Sequence, residues 1–193
     1  MGFDTARPQA ETDEALVKRI AKGEKLAMQV LFARHNVRVF RFCMRFVSDQ
    51  TVAEDLTSDV FLDVWRQAGR FEFRSQVSTW LLAMARYKAL SHRRSQRPTV
   101  DVDDAMGELT DGADTPEVTA QKTSKAKVLR QCIDALSPDH REIIDLVYYH
   151  EKSVREVSEI VGIPESTVKT RMFYARKKLS EAVREAGLDR GWP

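Results

Sequence analysis

Asp55, Asp59 and Asp63 stand four residues apart, so on a helix they line one face as a row of carboxylates. A straight row cannot surround an ion, so it implies no metal. Like charges at this spacing each cost a helix roughly a few tenths of a kcal/mol, which a cationic partner would offset. A merely solvated face is the other reading. A second group mixes rings with cations: Phe71, Phe73, Trp80 and Tyr87 among Arg70, Arg74, Arg86, Lys88 and Arg93. Single-stranded nucleic acid suits such a surface, because unpaired bases stack on rings while cations follow the backbone. Against that, Trp80, Leu81 and Met84 could be plain core. The third group is Lys169, Arg171, Arg176, Lys177 and Lys178, in the stretch "VGIPESTVKTRMFYARKKL". It faces a polyanion, or it is a solvated basic face that complements the helix dipole. His35, His92, His140 and His150 are scattered, and no nucleophile–base pair forms, so neither catalysis nor a cofactor is expected.

The charge is distributed in blocks. The 193 residues carry a formal net charge of only +2. Yet Arg66 to Arg97 holds Arg66, Arg70, Arg74, Arg86, Lys88, Arg93, Arg94 and Arg97 against the single acid Glu72, while "TVDVDDAMGELTDGADTPEV" carries only acids. Cys43 and Cys132 lie far apart among apolar neighbours, too few for a disulfide framework and wrongly spaced for zinc. They are expected to be buried free thiols in a reducing compartment. No apolar run suits a signal peptide or a membrane span, so the expectation is a soluble cytoplasmic protein without membrane insertion.

The elements that must position these groups are helices. Val30, Ala33, Val37, Phe40, Met44 and Val47 recur at three- and four-residue steps, which puts them on one helix face. "SDQT" offers a cap for a second helix over about Thr51 to Ala68, with Gly69 just past its end. "RFEFRSQVS" is a loop. A third helix begins near Thr79, capped by Ser78 or Thr79, and dies at Pro98. Residues 98–123 have no apolar period and read as an acidic linker. Beyond it come four helices. The first, Lys125 to Leu136, carries Leu129, Cys132, Ile133 and Leu136. Ser137 and Pro138 start the second, lined by Ile143, Leu146 and Val147. Ser153 and Glu156 form a capping box for the third. Gly162 ends it and Pro164 opens the fourth.

A short helix, a Gly turn and a second helix make a helix-turn-helix. Ser158 is small enough for close approach, and Val157, Val161, Ile163 and Val168 fill the space between. The second helix then offers Glu165, Ser166, Lys169 and Thr170 to base edges and its later cations to phosphates. The fold class is all-α: an N-terminal helical bundle over 10–97 and a four-helix domain with a helix-turn-helix over 124–187, joined by a flexible acidic linker.

In this order the motifs resemble an extracytoplasmic-function (ECF) RNA polymerase sigma factor of the sigma-70 family. "AEDLTSDVF" is similar to the family's polymerase-docking motif, with Ser58 where Gln is usual. "FRSQVSTWLLAMARYKALSHRR" resembles its promoter-melting region, with Tyr87 where Asn or Asp is usual. "LSPDHREIIDLVYYHEKSVREVSEIVGIPESTVKTRMFYARKKL" resembles its upstream-element reader, with Ser166 where Gly is usual. The resemblance implies that Glu54, Asp55, Leu56, Asp59 and Asp63 dock on a basic coiled coil of core RNA polymerase. It implies minus-10 contacts from Arg70, Phe71, Phe73, Arg74, Ser75, Trp80, Arg86, Tyr87, Arg93 and Arg94. The loop Arg70–Ser78 would capture a flipped-out base. It implies minus-35 contacts from Glu165, Ser166, Thr167, Lys169, Thr170, Arg171, Arg176 and Lys178. The linker would thread the polymerase's basic RNA exit path. Core RNA polymerase, promoter DNA and an anti-sigma factor are the implied partners. Two other readings stay open at this point: a polymerase-independent DNA-binding regulator, and a mimic that sequesters an anti-sigma factor.

Overall fold

The computed structural model describes residues 11–96 and 126–187. The acidic linker expected over 98–123 lies outside the described residues, as does Arg97. Within them the chain is helical, and no strand occurs among the described residues. α1 (Asp13–Ile20) starts at Thr12, whose hydroxyl accepts from Ala15 N at 3.2 Å. α2 (Lys25–Cys43) follows, then α3 (Gln50–Gln67). Asp49 caps α3 by accepting from Thr51 N at 2.7 Å and Val52 N at 3.3 Å, which satisfies two of the orphan donors of the first turn. A single 3₁₀ turn (Ala68–Arg70) leads into the loop before α4 (Val77–Gln96). These four helices close around Leu16, Ile20, Leu31, Val39, Phe42, Val60, Val64 and Leu81, all essentially without solvent contact.

The buried side of α2 is not the one its most regular apolar rhythm marks. Ala27, Leu31, His35, Val39 and Phe42 face the core, whereas Val30, Ala33 and Val37 are exposed. The helix has two apolar faces, and the one that wins is the one whose spacing also carries His35 to Asp13 on α1, at 2.6 Å. The start of α4 also differs from expectation. Ser78 and Thr79 lie inside its first turn instead of capping it, and their hydroxyls point to the second domain.

That domain is built from α5 (residues 126–134), α6 (Pro138–Ile144), α7 (Val154–Val161) and α8 (Glu165–Glu185). Pro138 opens α6 where its missing N–H costs nothing. Arg141 is buried and donates to the carbonyls of Asp134 and Leu136, tying the end of α5 to α6. α6 then widens into a π-turn (Asp145–Tyr149) that throws Tyr148 and Tyr149 outward and leaves Leu146 in the core. The two domains touch: α4 packs along α7, and the Phe42 ring meets His150 edge-on at 5.3 Å. Both cysteines are buried and free, and burial pushes the Cys43 thiol up to about 11 despite a hydrogen bond with Thr57.

Candidate functional site

The α3 row is assembled as its spacing dictates, but its members differ in what they can offer. Glu54, Asp55 and Asp59 are exposed. Asp63 is half-buried at the α4 edge, where Lys88 reaches it at 2.8 Å and touches Asp59 at 3.9 Å. One internal cation therefore already offsets the lower end of the row. The free end is Glu54 and Asp55, and Asp55 has no polar partner among the described residues. Leu56 points the other way and is a core residue, 6% exposed, because it falls on the face that carries Ala53, Val60 and Val64 inward.

The loop after α3 is held by its own rings. Phe71 stacks on Trp80, with centroids 4.3 Å apart and planes 16° from parallel, and Phe73 meets Phe71 edge-on at 4.8 Å. Phe73 has φ 56°, a left-handed backbone that a bulky residue adopts only when its surroundings impose it. Those surroundings are the Phe71 ring on one side and Lys18 Nζ, 5.2 Å from the ring centroid, on the other. Arg70, Arg74 and the Phe73 ring are open to solvent, Ser75 is half-buried, and Arg74 pairs with the exposed Glu72. Trp80 is half-buried and leans on the core, so core packing and an available ring edge coexist in one side chain.

Helical periodicity sorts the α4 residues into separate faces. Trp80, Tyr87 and Arg94 recur every seven residues and share the outer face; Tyr87 is 73% exposed. Arg86 and Arg93, also seven apart, share the face turned to the second domain. There Arg86 grips Glu142 with Nε–Oε1 2.6 Å and Nη2–Oε2 3.3 Å. The ten residues grouped by sequence for one task thus occupy two surfaces.

In the second domain the helix-turn-helix forms as its sequence directs. The capping box is complete, with Ser153 Oγ accepting from Glu156 N and Glu156 accepting from Ser153 N. Gly162 sits at φ 75°, ψ 34°, the left-handed cap that turns the chain between the helices. Ser158 Oγ donates to Ile163 O at 2.6 Å and so fixes that turn from inside. Val157 and Val168 are fully buried between the helices, and Val161 nearly so. On α8, Glu165, Ser166, Lys169, Thr170, Arg176 and Lys177 project from one side. Thr167 is half-buried. Arg171 and Lys178 turn instead toward α6, where Arg171 meets Asp139 at 2.8 Å. His140 lies there too; burial, then Lys178 and Arg171, hold its imidazole below the ordinary value, against the opposing pull of Asp139. Arg176 Nε donates to the Tyr148 hydroxyl at 2.7 Å, its guanidinium 5.6 Å from the ring centroid. Phe173, 64% exposed amid Ser166, Lys169, Thr170 and Arg176, was not singled out by sequence reasoning. An unburied ring at i+4 from Lys169 was the available signal.

Comparison with known proteins accords with this architecture. Residues 31–99 match "Sigma-70 region 2" and residues 126–179 match "Sigma-70, region 4". RNA polymerase sigma factor CarQ of Myxococcus xanthus is 34% identical over 176 residues, covering 90% of this chain and 98% of that protein. RNA polymerase sigma-H factor of Pseudomonas aeruginosa is 27% identical over 182 residues, covering 90% and 94%. The fold is also that of CnrH, solved with the cytosolic domain of CnrY, at TM-score 0.65 and 23% identity, covering 91% of this chain and 99% of that one. It is likewise that of the Bartonella quintana sigma factor RpoE, solved with the anti-sigma factor NepR, at TM-score 0.62 and 21% identity, covering 81% and 96%. The chain belongs to the RNA polymerase sigma factors of the sigma-70 family, in the extracytoplasmic-function group. It is a transcription initiation factor that serves promoter recognition, and not an enzyme. No helix among the described residues is long and apolar enough to cross a membrane.

Proposed function

We propose that this factor works in the cytoplasm as the promoter-reading subunit of RNA polymerase, with its tasks divided among three surfaces. Core polymerase docks on α3 through Glu54, Asp55 and Asp59, with Asp63 poised by Lys88 at the margin. The minus-10 strand runs from the Arg70–Ser75 loop along the outer face of α4, over the Trp80 edge, Tyr87 and Arg94. Minus-35 duplex takes the outer side of α8, with Ser166, Lys169, Thr170 and Phe173 against base edges and Arg176 and Lys177 against phosphates. Domain boundaries of 10–97 and 124–187 follow from this division. An anti-sigma factor is the expected inhibitor.

The observation that carries this proposal is the Phe71–Trp80 stack with Phe73 held in a left-handed backbone beside it. A duplex reader has no use for a strained aromatic loop, whereas an unpaired base needs a fixed pocket edge on which to stack. Run-off transcription with core polymerase on a library of promoter fragments tests it. Promoter-specific transcripts are expected; transcripts that do not depend on the factor would refute the proposal.

A further inference from the structure

Arg176 stands on the outer side of α8 with Lys169 and Lys177, but it is not left to swing in solvent. Its Nε–H donates to the Tyr148 hydroxyl at 2.7 Å, and its guanidinium lies 5.6 Å from the centroid of the Tyr148 ring. The two residues are 28 positions apart and belong to different elements. Tyr148 comes from the π-turn Asp145–Tyr149, ahead of the helix-turn-helix, and is 58% exposed. The next residue, Tyr149, directs its hydroxyl elsewhere, accepting from Arg41 on α2. The π-turn thus sends two adjacent phenols to two different guanidiniums, and the Tyr148 phenol meets the one on α8.

A guanidinium carries five N–H donors in a rigid fork, and its charge seeks an anion. Tyr148 takes the Nε–H, which closes the side of the fork and leaves the Nη groups at its end free. That end matches two oxygens of a phosphate. The phenol itself is only half used. Its oxygen accepts from Arg176, so its own hydrogen remains to donate, and a hydrogen bond received from a cation makes it a stronger donor. The ring beneath the guanidinium also restricts Arg176 before any ligand arrives, so less side-chain freedom is lost on binding. We infer that Tyr148 is a phosphate-contact residue of the minus-35 complex: it holds Arg176 end-on to one DNA phosphate and donates its hydroxyl hydrogen to the same phosphate. This rests on the proposed placement of minus-35 duplex on α8. It adds an anchor outside the recognition helix, one that fixes the register of α8 in the groove without reading a base.

The test titrates holoenzyme, assembled from the full chain and core polymerase, onto promoter duplexes with a cognate or a scrambled minus-35 element at several salt concentrations. Tyr148→Phe keeps the ring and removes only the hydroxyl, at a position exposed enough to spare the fold. It should weaken binding to both duplexes alike, by roughly three- to tenfold. The salt slope should not move, because no charge is lost. Arg176→Ala should also weaken both duplexes, but should flatten the slope by roughly one counterion. With Arg176→Ala already present, Tyr148→Phe should cost less than it does alone, since the two side chains share one phosphate. Neutral methylphosphonate linkages, placed one at a time along the minus-35 duplex, locate that phosphate. At one position the neutral linkage should weaken the unmodified holoenzyme and leave the double variant unaffected. Undiminished affinity in Tyr148→Phe, its full cost in the Arg176→Ala background, a changed cognate-to-scrambled ratio, or no linkage at which the double variant loses sensitivity would each overturn the assignment. If the unmodified holoenzyme shows no preference for the cognate duplex, the function proposal itself falls and takes Tyr148 with it. A preserved preference with any of the four adverse results strikes Tyr148 alone.

Discussion

α4 and α8 are the two basic helices proposed to meet nucleic acid, yet they hold their cations differently. On α4, Arg86 is committed to Glu142 and Lys88 to Asp63. On α8, Lys169 and Lys177 stand in solvent, and Arg176 is steadied by Tyr148 without a carboxylate. The proposed duplex-reading face of α8 is open as folded; on α4 the proposed strand-reading face, with Tyr87 and Arg94, is open too, and it is the opposite face, with Arg86, that is occupied within the molecule.

The largest effect expected lies outside both helices and sets a baseline for them. Reversing Asp55 and Asp59 to Lys should abolish co-purification with core polymerase while far-UV helicity is kept. Like charges juxtaposed at an interface cost several kcal/mol, and both groups are exposed enough for substitution to spare the fold. Retained binding by the folded double variant would remove α3 from the docking surface.

Next comes α4. Tyr87→Ala should slow promoter opening, read by permanganate reactivity of unpaired thymines, by the loss of one stacking contact of about 1–3 kcal/mol. Tyr87 is a cleaner probe than Trp80, because truncating Trp80 also strips the Phe71 ring of its partner. If opening is unaffected, the outer face of α4 does not carry the strand. On α8 the matching change is Lys169→Ala, which should narrow the preference for a cognate over a scrambled minus-35 duplex by about 1–3 kcal/mol in anisotropy titrations. An unchanged ratio would mean that α8 does not read sequence.

Much of this molecule was legible in its sequence because helices announce themselves locally. The Ser153–Glu156 box, Gly162, Pro138 and the four-residue spacing of the α3 acids each specify a feature within one or two turns. What was not legible is non-local. The face α2 buries was ambiguous because Val30, Ala33 and Val37 are as regular as the residues that win, and the choice is made by partners on α1 and α3. α1 itself passed unnoticed, since its eight residues carry only Leu16, Val17 and Ile20 inward. Arg86 looked like a free cation because its partner Glu142 lies 56 positions away. Leu56 was swept into a docking motif by its neighbours, although the same spacing that exposes Asp55 turns Leu56 inward.

The contact of α7 with α4 has a pH signature. Burial alone would raise the Glu156 carboxyl, but hydrogen bonds from Thr79, the Ser153 backbone, Lys152 and the Ser153 hydroxyl outweigh it and bring the group down to about 2. A carboxyl depressed in the folded state contributes stability that is full above its unfolded value of 4.5 and is lost as pH falls toward 2. Thermal melts should therefore show Glu156→Gln less stable than the unmodified chain at pH 6, with the gap closing between pH 4.5 and pH 2. A gap that is constant across that window would mean the carboxylate charge contributes nothing to that contact.

The smallest effect separates two neighbouring lysines. Lys177 lies on the outer side of α8 with Lys169 and Arg176, while Lys178 turns toward Arg171 and His140. A phosphate strand that follows the outer side meets Lys177 and passes Lys178 by. Each phosphate neutralised contributes roughly 0.9 to the slope of log affinity against log salt. Lys177→Ala should flatten that slope by about one counterion and weaken cognate and scrambled duplexes alike, with Lys178→Ala close to the unmodified chain. Sequence order alone ranks the two lysines as equals, so the difference between them isolates what the helix face adds. Equal slopes for the two variants would show that the strand crosses α8 at its end and does not run along its outer side. The contrast with α4 would then rest on Lys169 alone.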